Sequence, residues 1–548
     1  MTTPSEEPTM PSPSTLRIGR RYRANRLQGP YDVLVIGSGI GGLSAAACLS
    51  KLGKKVAVFE QHYTAGGFTH AYERNGYEWD VGVHYIGDVG KDHTLAKRLF
   101  DHISDGQLKW APMDPCYDRI HLGDRQYDLM AGPKAFVETL KQAFPNDHAA
   151  IDRYMALTAK AATAIQVLTT AKVLPGAAGK LLAKGLSLTG AGKLNRPTAE
   201  VLGELTDNHE LIAVLTGQWG DNGLPPEQSS FLIHAIIARH YLYGGFYPVG
   251  GASAMATTII PVIQQGGGDV FTYADVREIV IENGRATGLR LADDNVVSAP
   301  VIISDAGVFN TFQNLLPDAC PQRQGYLDRL TRVQRSMASA CLYVGLNADA
   351  ASLGLPKTNF WIYPDSDYQR QLEQALAAPD EHDIPLTYIS FPSAKDPSFS
   401  ERYPGRATIE IVAAAPYEWF QAWDGTPWGK RGDDYDALKE AFSQRLLEKL
   451  FEKMPHLREH LDYYELSTPL STAYFCRYPS GEIYGLNHDP NRFEQQWLRP
   501  KTTIPGLYLT GQDVLTCGVA GAMIAGLVTA ISVGGVRALP LAKAMFAG

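Results

Sequence analysis

The stretch Asp32-Val-Leu-Val-Ile36, Gly37-Ser38-Gly39-Ile40-Gly41-Gly42, Leu43-Ser-Ala-Ala-Ala-Cys-Leu-Ser-Lys-Leu52 and Lys55-Val-Ala-Val-Phe-Glu60 decides the fold. A short apolar run of strand length feeds a glycine cluster. The cluster opens an Ala/Leu-rich segment of helical character that Gly53 closes, and a second apolar strand follows with almost nothing inserted. This is the opening of a βαβ unit. In Gly37-x-Gly39-x-x-Gly42 the first glycine makes the tight turn, the second lets a pyrophosphate approach, and the third lets helix and strand pack closely. The free N–H groups and positive dipole end of the helix favour that anion. A GxGxxG by itself is a weak signal. Here it follows a strand, opens a helix, and is answered by Glu60, 18 residues beyond Gly42, where a carboxylate accepts hydrogen bonds from an adenosine ribose.

Working outward, Gly66-Gly67 follows Glu60 closely, and Trp79-Asp-Val-Gly-Val-His84-Tyr85 comes next. A plain NAD domain gives no reason for a second glycine pair. FAD does, because its ribityl chain and flavin must thread past the backbone. The C-terminal segment Leu507-Tyr-Leu-Thr-Gly511-Gln-Asp513 with Gly518-Val519-Ala520-Gly521 supplies the other half. Asp513 suits ribityl hydroxyls, and a helix beginning near Gly518 favours negative charge at the flavin pyrimidine. Between these ends, strands are expected at Asp269-Val-Phe271, Val276 to Ile281 and Pro300 to Ile303, with Gly288-Leu-Arg-Leu291 paired to the second through Glu282-Asn-Gly-Arg285. The expected fold class is α/β. A Rossmann-like FAD-binding domain is assembled from residues 31–100, 246–335 and 500–548, and an α+β substrate domain from 101–245 and 336–499, after a disordered basic arm over 1–30.

These stretches resemble the retinol saturase and carotenoid isomerase branch of the phytoene-desaturase-like flavoproteins, within the amine-oxidase-type superfamily. Four segments carry the resemblance: Val33 to Ser44 with Glu60 to Gly67; Trp79 to Gly87; Asp221-Asn-Gly-Leu-Pro-Pro226 through His240-Tyr-Leu and Tyr247-Pro-Val-Gly-Gly251; and Tyr508 to Gly518. One departure is Phe68-Thr69, where cysteines are expected in animal retinol saturases. The resemblance implies a non-covalent FAD and a lipophilic, unsaturated substrate whose C=C bond is reduced, formed or isomerised. Saturation is the favoured net reaction. A redox-neutral isomerase, a desaturase running the reverse reaction and a non-catalytic flavin- or lipid-binding protein are the alternatives. The expected cofactor contacts are Gly37, Ser38, Gly39, Ile40, Gly41, Gly42, Glu60, Gln61, Gly66, Gly67, Val276, Gly511, Asp513, Gly518, Val519 and Ala520. Saturating an unactivated C=C bond takes a proton as well as a hydride, and His84, Tyr85 and Tyr247 are the candidate donors or polar anchors. His240 and Tyr484 are weaker ones.

Composition sets the outer bounds. The 548 residues are 45% hydrophobic with a net charge of -8, ordinary for a globular chain and without the basic footprint that nucleic-acid phosphates require. Six scattered cysteines, with no CxxC pair, predict neither a disulfide framework nor a metal centre. No secretory signal is legible, and the uncharged run between Asp513 and Arg537 reads as a buried helix, so a cytoplasmic protein with peripheral membrane contact is expected. That contact is expected within 153–199, which holds seven Lys/Arg and no Asp or Glu. A polyene tunnel needs aromatic walls, and the second-domain blocks offer Trp219, Phe231, Tyr241, Tyr243, Phe246, Tyr247, Phe360, Trp361, Tyr388, Phe391, Tyr417, Trp419, Phe420, Tyr474 and Phe475, most of them expected as core. The external electron donor is not legible.

Overall fold

Two apolar strands, Val33–Ile36 and Val56–Phe59, lie side by side in parallel, buried along their whole length. Burial on both faces explains why they read as continuous apolar runs rather than alternating ones. The computed structural model describes residues 16–174, 176–379 and 381–546. In it these strands form the centre of a six-stranded parallel sheet. The order is Arg20–Arg21, Asp269–Thr272, Val56–Phe59, Val33–Ile36, Val301–Ser304 and Leu507–Leu509. The first strand corrects the expectation of a disordered arm. Residues 1–15 lie outside the described residues, but Arg20 and Arg21 pair with Phe271 and Thr272, and the Arg20 guanidinium reaches Asp269 at 3.0 Å. Charge and backbone pairing at a sheet edge order a segment whose composition alone looks unstructured.

The helix Ile40–Lys51 ends as expected, with Gly53 at φ +78° and the Lys54 N–H returning to Leu49 O. A second helix, Gly518–Gly534, crosses it at backbone contact. A Cβ on Gly526 would lie 2.5 Å from Gly41 O and 2.8 Å from Ala45 N, and Ser44 Oγ donates to Met523 O. That proximity explains the Gly/Ala richness of the uncharged run. The apolar stretch Gly518–Phe546 is long enough to cross a membrane by length and composition, yet half of its most apolar window is buried inside the protein. The hairpin expected around Asn283-Gly284 is present, with both residues at positive φ and Val280 opposite Gly288.

A second, seven-stranded sheet stands opposite. Its order is Leu461–Ser467, Ser339–Leu346, Ala407–Ala414, Thr387–Ser390, Asn359–Tyr363, Cys116–Leu122 and Arg125–Met130. All neighbours are antiparallel except Asn359–Tyr363 with Cys116–Leu122. Strand alternation divides its faces: Ile409 and Ile411 pack in one core with Leu446 and Leu450 of the helix Asp433–Lys453, whereas Val412 turns to a cavity between the sheets.

The strands Val33–Ile36 and Val301–Ser304, the first helix and the loop after Leu507–Leu509 meet at Asp305. Its N–H donates to Ile36 O, and its Oδ2 accepts from Gly42 N at 2.9 Å. A Cβ on Gly39 would sit 2.6 Å from Oδ2 and one on Gly41 2.7 Å from Oδ1, and Gly511 is equally hard against the carboxyl group. Burial, with Glu60 and Asp513 nearby, raises this carboxyl to about 8. An acid raised on folding stabilises the fold fully below its unfolded value near 4, and that stability is lost as pH climbs to about 8. The isosteric Asp305→Asn keeps the Gly42 contact and removes the titration. Its unfolding free energy therefore gains on that of the unsubstituted protein between pH 5 and 8, by about 1.4 kcal/mol per pH unit at most, and its melting temperature rises relative to it in step. Parallel melting profiles for the two would contradict this role.

Candidate functional site

The C-terminal edge of the parallel sheet opens on one long cavity with about 2360 Å³ of open space, part of it continuous with solvent. At one end its wall is the glycine turn, Gly37, Gly39, Ile40 and Gly41, together with Glu60, Gln61, Gly66, Gly67 and Val276. In the middle lie Asp305, Gly511, Asp513, Gly518 and Val519. At the far end the wall is Met337, Trp361, Leu386, Tyr388 and Val412 of the second sheet and its approaches, with Tyr484, whereas Phe475 lies at the dinucleotide end, its ring 5.3 Å from that of His62. Of the fifteen aromatics named above, only Trp361, Tyr388 and Phe475 reach the wall. The rest are absorbed in packing or at the surface, because most residues of a sheet and its covering helices face away from any one cleft.

The dinucleotide end is built as the turn chemistry requires. Gly37 has φ +92° and donates to Phe59 O. The second glycine pair rests on the first: Gly39 bridges Gly66, and a Cβ on Gly67 would lie 2.9 Å from Gly39 Cα. Glu60 is buried at the end of its strand. Its Oε2 accepts from Ser38 N and Oγ at 2.9 and 2.8 Å, and its Oε1 from His62 N at 2.8 Å. Ser38 and Gly42 are buried beneath the turn and do not line the cavity. The Gly42 N–H, expected to face an anion, is taken by Asp305. Asp513 accepts from Val308 N through Oδ2 and from Leu486 N through Oδ1, which clamps three chain segments beside the cavity. Ala522, rather than the expected Ala520, lines the wall from the C-terminal helix. Asp305 carries no motif of its own in the sequence. Its signal was position: Ser304-Asp-Ala-Gly307 follows directly on a strand, where open parallel sheets bind their ligands.

The three proton-donor candidates separate. His84 lies on the wall, and its Nδ1 stands 2.9 Å from Glu410 Oε2. Burial and the nearby Lys395 hold the imidazole neutral, pushed down to about 3, while burial raises Glu410 to about 8. Tyr247 is a correction. It is 2% exposed, absent from the wall, and its hydroxyl donates to Asp80, whose backbone N–H in turn donates to Glu410. Tyr85 is also buried off the wall, stacked on Tyr241 with centroids 4.0 Å apart, and its hydroxyl points to Asp118 and Asp221. Both tyrosines support the cavity from behind. His240 likewise braces the loop, accepting from Gly87 N at 2.8 Å, whereas Tyr484 is on the wall. Lys395, buried and lowered to about 7, donates to His84 O and Ser390 Oγ. The wall also holds Asp221, in a turn that reads in sequence only as Asp-Asn-Gly.

The residues present fit a flavin dinucleotide. The close backbone approach at Gly39, Gly41 and Gly67 leaves no room for side chains, and Glu60 and Asp513 each retain acceptor capacity toward hydroxyls. The Thr510 hydroxyl on the wall is buried without a partner among the described residues.

Comparison with known proteins agrees with this geometry. Residues 35–103 match the family described as NAD(P)-binding Rossmann-like domain. Human all-trans-retinol 13,14-reductase is 37% identical over 520 residues, covering 92% of this chain and 85% of the relative. Chloroplastic prolycopene isomerase of Daucus carota is 26% identical, covering 91% of this chain and 80% of the relative. Among solved structures, wild-type putrescine oxidase bound to putrescine superposes with a TM-score of 0.61 at 16% identity, over 92% of this chain and 98% of that one. The amine-oxidase-like Rossmann architecture follows from the last likeness, and the reductase likeness goes further: this chain belongs to the all-trans-retinol 13,14-reductase family.

Proposed function

We propose that the protein is an FAD-dependent oxidoreductase that saturates a C=C bond of a hydrophobic polyene, with a retinol-like molecule as the substrate class. The observation that carries this reading is the single cavity, which joins a dinucleotide cradle to an apolar aromatic wall without a break. Bound FAD supplies hydride chemistry. The chain supplies the rest. Gly37 to Gly42 with Gly66-Gly67 seat the dinucleotide, Glu60 and Asp513 accept from its hydroxyls, and the start of the helix Gly518–Gly534 offers its positive end. Trp361, Leu386, Tyr388 and Val412 exclude water and align an extended polyene. His84, with Nδ1 engaged by Glu410, turns Nε2 to the cavity as a polar anchor. Identity to retinol reductases, greater than to the carotenoid isomerase, supports reduction over redox-neutral isomerisation.

The purified or reconstituted protein is expected to hold FAD. Anaerobically, with dithionite, it is expected to convert all-trans-retinol into a product heavier by two hydrogens. A product of unchanged mass with the reductant unspent would overturn the reduction, and failure to take up flavin would overturn the whole reading. Glu60→Ala and Asp513→Ala each weaken FAD binding by roughly 10- to 100-fold, the usual effect of losing a hydrogen bond to a charged group. FAD retention measured by equilibrium dialysis checks this.

Membrane contact is a second element of the proposal, and the structure narrows it. Within 153–199 the long helix His148–Val173 packs one face into the protein and leaves Arg153 and Lys160 exposed, while near its end Lys172 donates from the interior to Leu498 O and Val514 O, so that end faces no lipid. The following helix, Gly176–Ser187, presents Leu181 at 74% exposure, with Leu188 at 77% just beyond it and Lys180 and Lys184 alongside. An apolar tip ringed by lysines suits an anionic lipid surface, from which an insoluble substrate would enter. Vesicles containing anionic lipid are expected to float the protein at low salt, and Leu181→Asp with Leu188→Asp to abolish flotation while flavin content is unchanged. Equal flotation of both forms would remove this contact.

A further inference from the structure

The hydrogen-bond inventory around Tyr85 singles out a group on the cavity wall. Tyr85 has one hydroxyl proton and stands between two carboxyl groups, 2.8 Å from Asp118 Oδ2 and 3.2 Å from Asp221 Oδ2. Asp118 is richly supplied with donors. Asn359 Nδ2 reaches its Oδ1 at 2.8 Å, and Gln218 Nε2 its Oδ2 at 2.7 Å, beside the Tyr85 hydroxyl. With the phenolic proton committed to Asp118, the Asp221–Tyr85 contact sets acceptor against acceptor unless Asp221 carries a proton of its own. Among the described residues no cation and no other donor reaches the Asp221 side chain. Burial and the like charge of Asp118 both push it well above the usual carboxylate range. Asp221 lines the cavity, and its other oxygen has no protein partner among the described residues. Its backbone carbonyl accepts from Cys517 Sγ at 3.4 Å, one residue before the helix Gly518–Gly534 begins, and Trp361 packs against neighbouring Gly220. The acid therefore stands where the dinucleotide cradle meets the aromatic wall.

We propose that Asp221, held as a neutral acid by Tyr85 and Asp118, delivers the proton that completes saturation of the substrate C=C bond; this rests on the reductase reading above. One alkene carbon takes a hydride from reduced FAD and its neighbour takes the Asp221 carboxyl proton. The π bond breaks, two C–H bonds form, the flavin is left oxidised and Asp221 is left as a carboxylate. Water restores its proton, and an external two-electron reductant, dithionite in the assay, restores the flavin. Asp118, which has no place on the wall, acts through Tyr85 as a positioning residue.

Asp221→Asn keeps the size and a hydrogen bond to Tyr85 but has no acidic proton. Two measurements test the assignment. In the infrared difference spectrum of the unsubstituted protein minus Asp221→Asn, both oxidised and without substrate at pH 7, one protonated-carboxyl C=O band is expected, the bands of other protonated carboxyls such as Asp305 and Glu410 cancelling; its absence overturns the assignment of a proton to Asp221. With dithionite-reduced protein and all-trans-retinol, Asp221→Asn forms saturated product on the order of 100-fold more slowly, while retinol affinity of the oxidised protein, read by fluorescence quenching, stays within about threefold. Asp221→Glu, which keeps an acid, recovers part of the rate. Turnover by Asp221→Asn at the unsubstituted rate overturns the proposal, as does loss of retinol binding in step with turnover, which would mark an anchor rather than an acid. If the unsubstituted protein leaves the mass of retinol unchanged, the reductase reading fails and the proton-delivery step falls with it. The infrared band still reads, separately, whether Asp221 holds a proton.

Discussion

One carboxyl group, that of Asp305, sits where the strand Val301–Ser304, the first helix and the loop after Leu507–Leu509 converge. A parallel sheet delivers the C-terminal ends of all its strands to a single edge, so residues 263 positions apart, Gly42 and Asp305, become hydrogen-bond partners there. The glycines of the first turn are thereby required twice over. They leave room for this carboxyl group, which would otherwise meet a Cβ at Gly39 and at Gly41, and in the proposed function they also leave room for the cofactor's phosphate. Anything that moved Asp305 would move the cofactor cradle and the Gly511–Asp513 loop together.

Polar groups buried between the two sheets form the second frame. Asp80, Glu410, His84, Tyr247 and Lys395 are enclosed in low dielectric, where an unpaired charge is costly and each group finds a partner on a different segment. Burial drives the carboxyl groups up and the amine and imidazole down, so the network is close to neutral and holds its shape through hydrogen bonds more than through ion pairs. This explains the division of labour in His84-Tyr85. Neighbours along an extended segment point to opposite sides, so His84 reaches the cavity while Tyr85 turns behind it to Asp118 and Asp221.

Much of the cofactor half was legible in the sequence because its signals are local. A strand, a glycine turn and a helix lie consecutively from Asp32 to Lys51, the hairpin at Asn283-Gly284 needs only its own residues, and Gly/Ala-rich chain after Gly518 announces close helix packing. The substrate half was less legible. Its sheet joins strands from Cys116 to Ser467, and no periodicity tells which strands are neighbours. Lys172 sits in a basic stretch that reads as a solvated or membrane-facing surface, yet its ammonium is buried against two carbonyls from the C-terminal third of the chain. Arg20 and Arg21 form an edge strand only because Asp269–Thr272 lies open beside them.

The sequence by itself determined the βαβ opening, the glycine turn between strand and helix, and the place of Glu60 at the end of the second strand, because backbone conformation and short-range spacing are written in adjacent residues. Only the tertiary structure decided which side chains reach the cavity. His84 reaches it and Tyr247 does not, Asp221 emerges from an ordinary-looking turn, and Asp305 takes the N–H expected to face an anion. The reason is physical. Facing, burial and proton sharing are properties of pairs brought together across long loops, and a chain read one residue at a time carries no record of its partners.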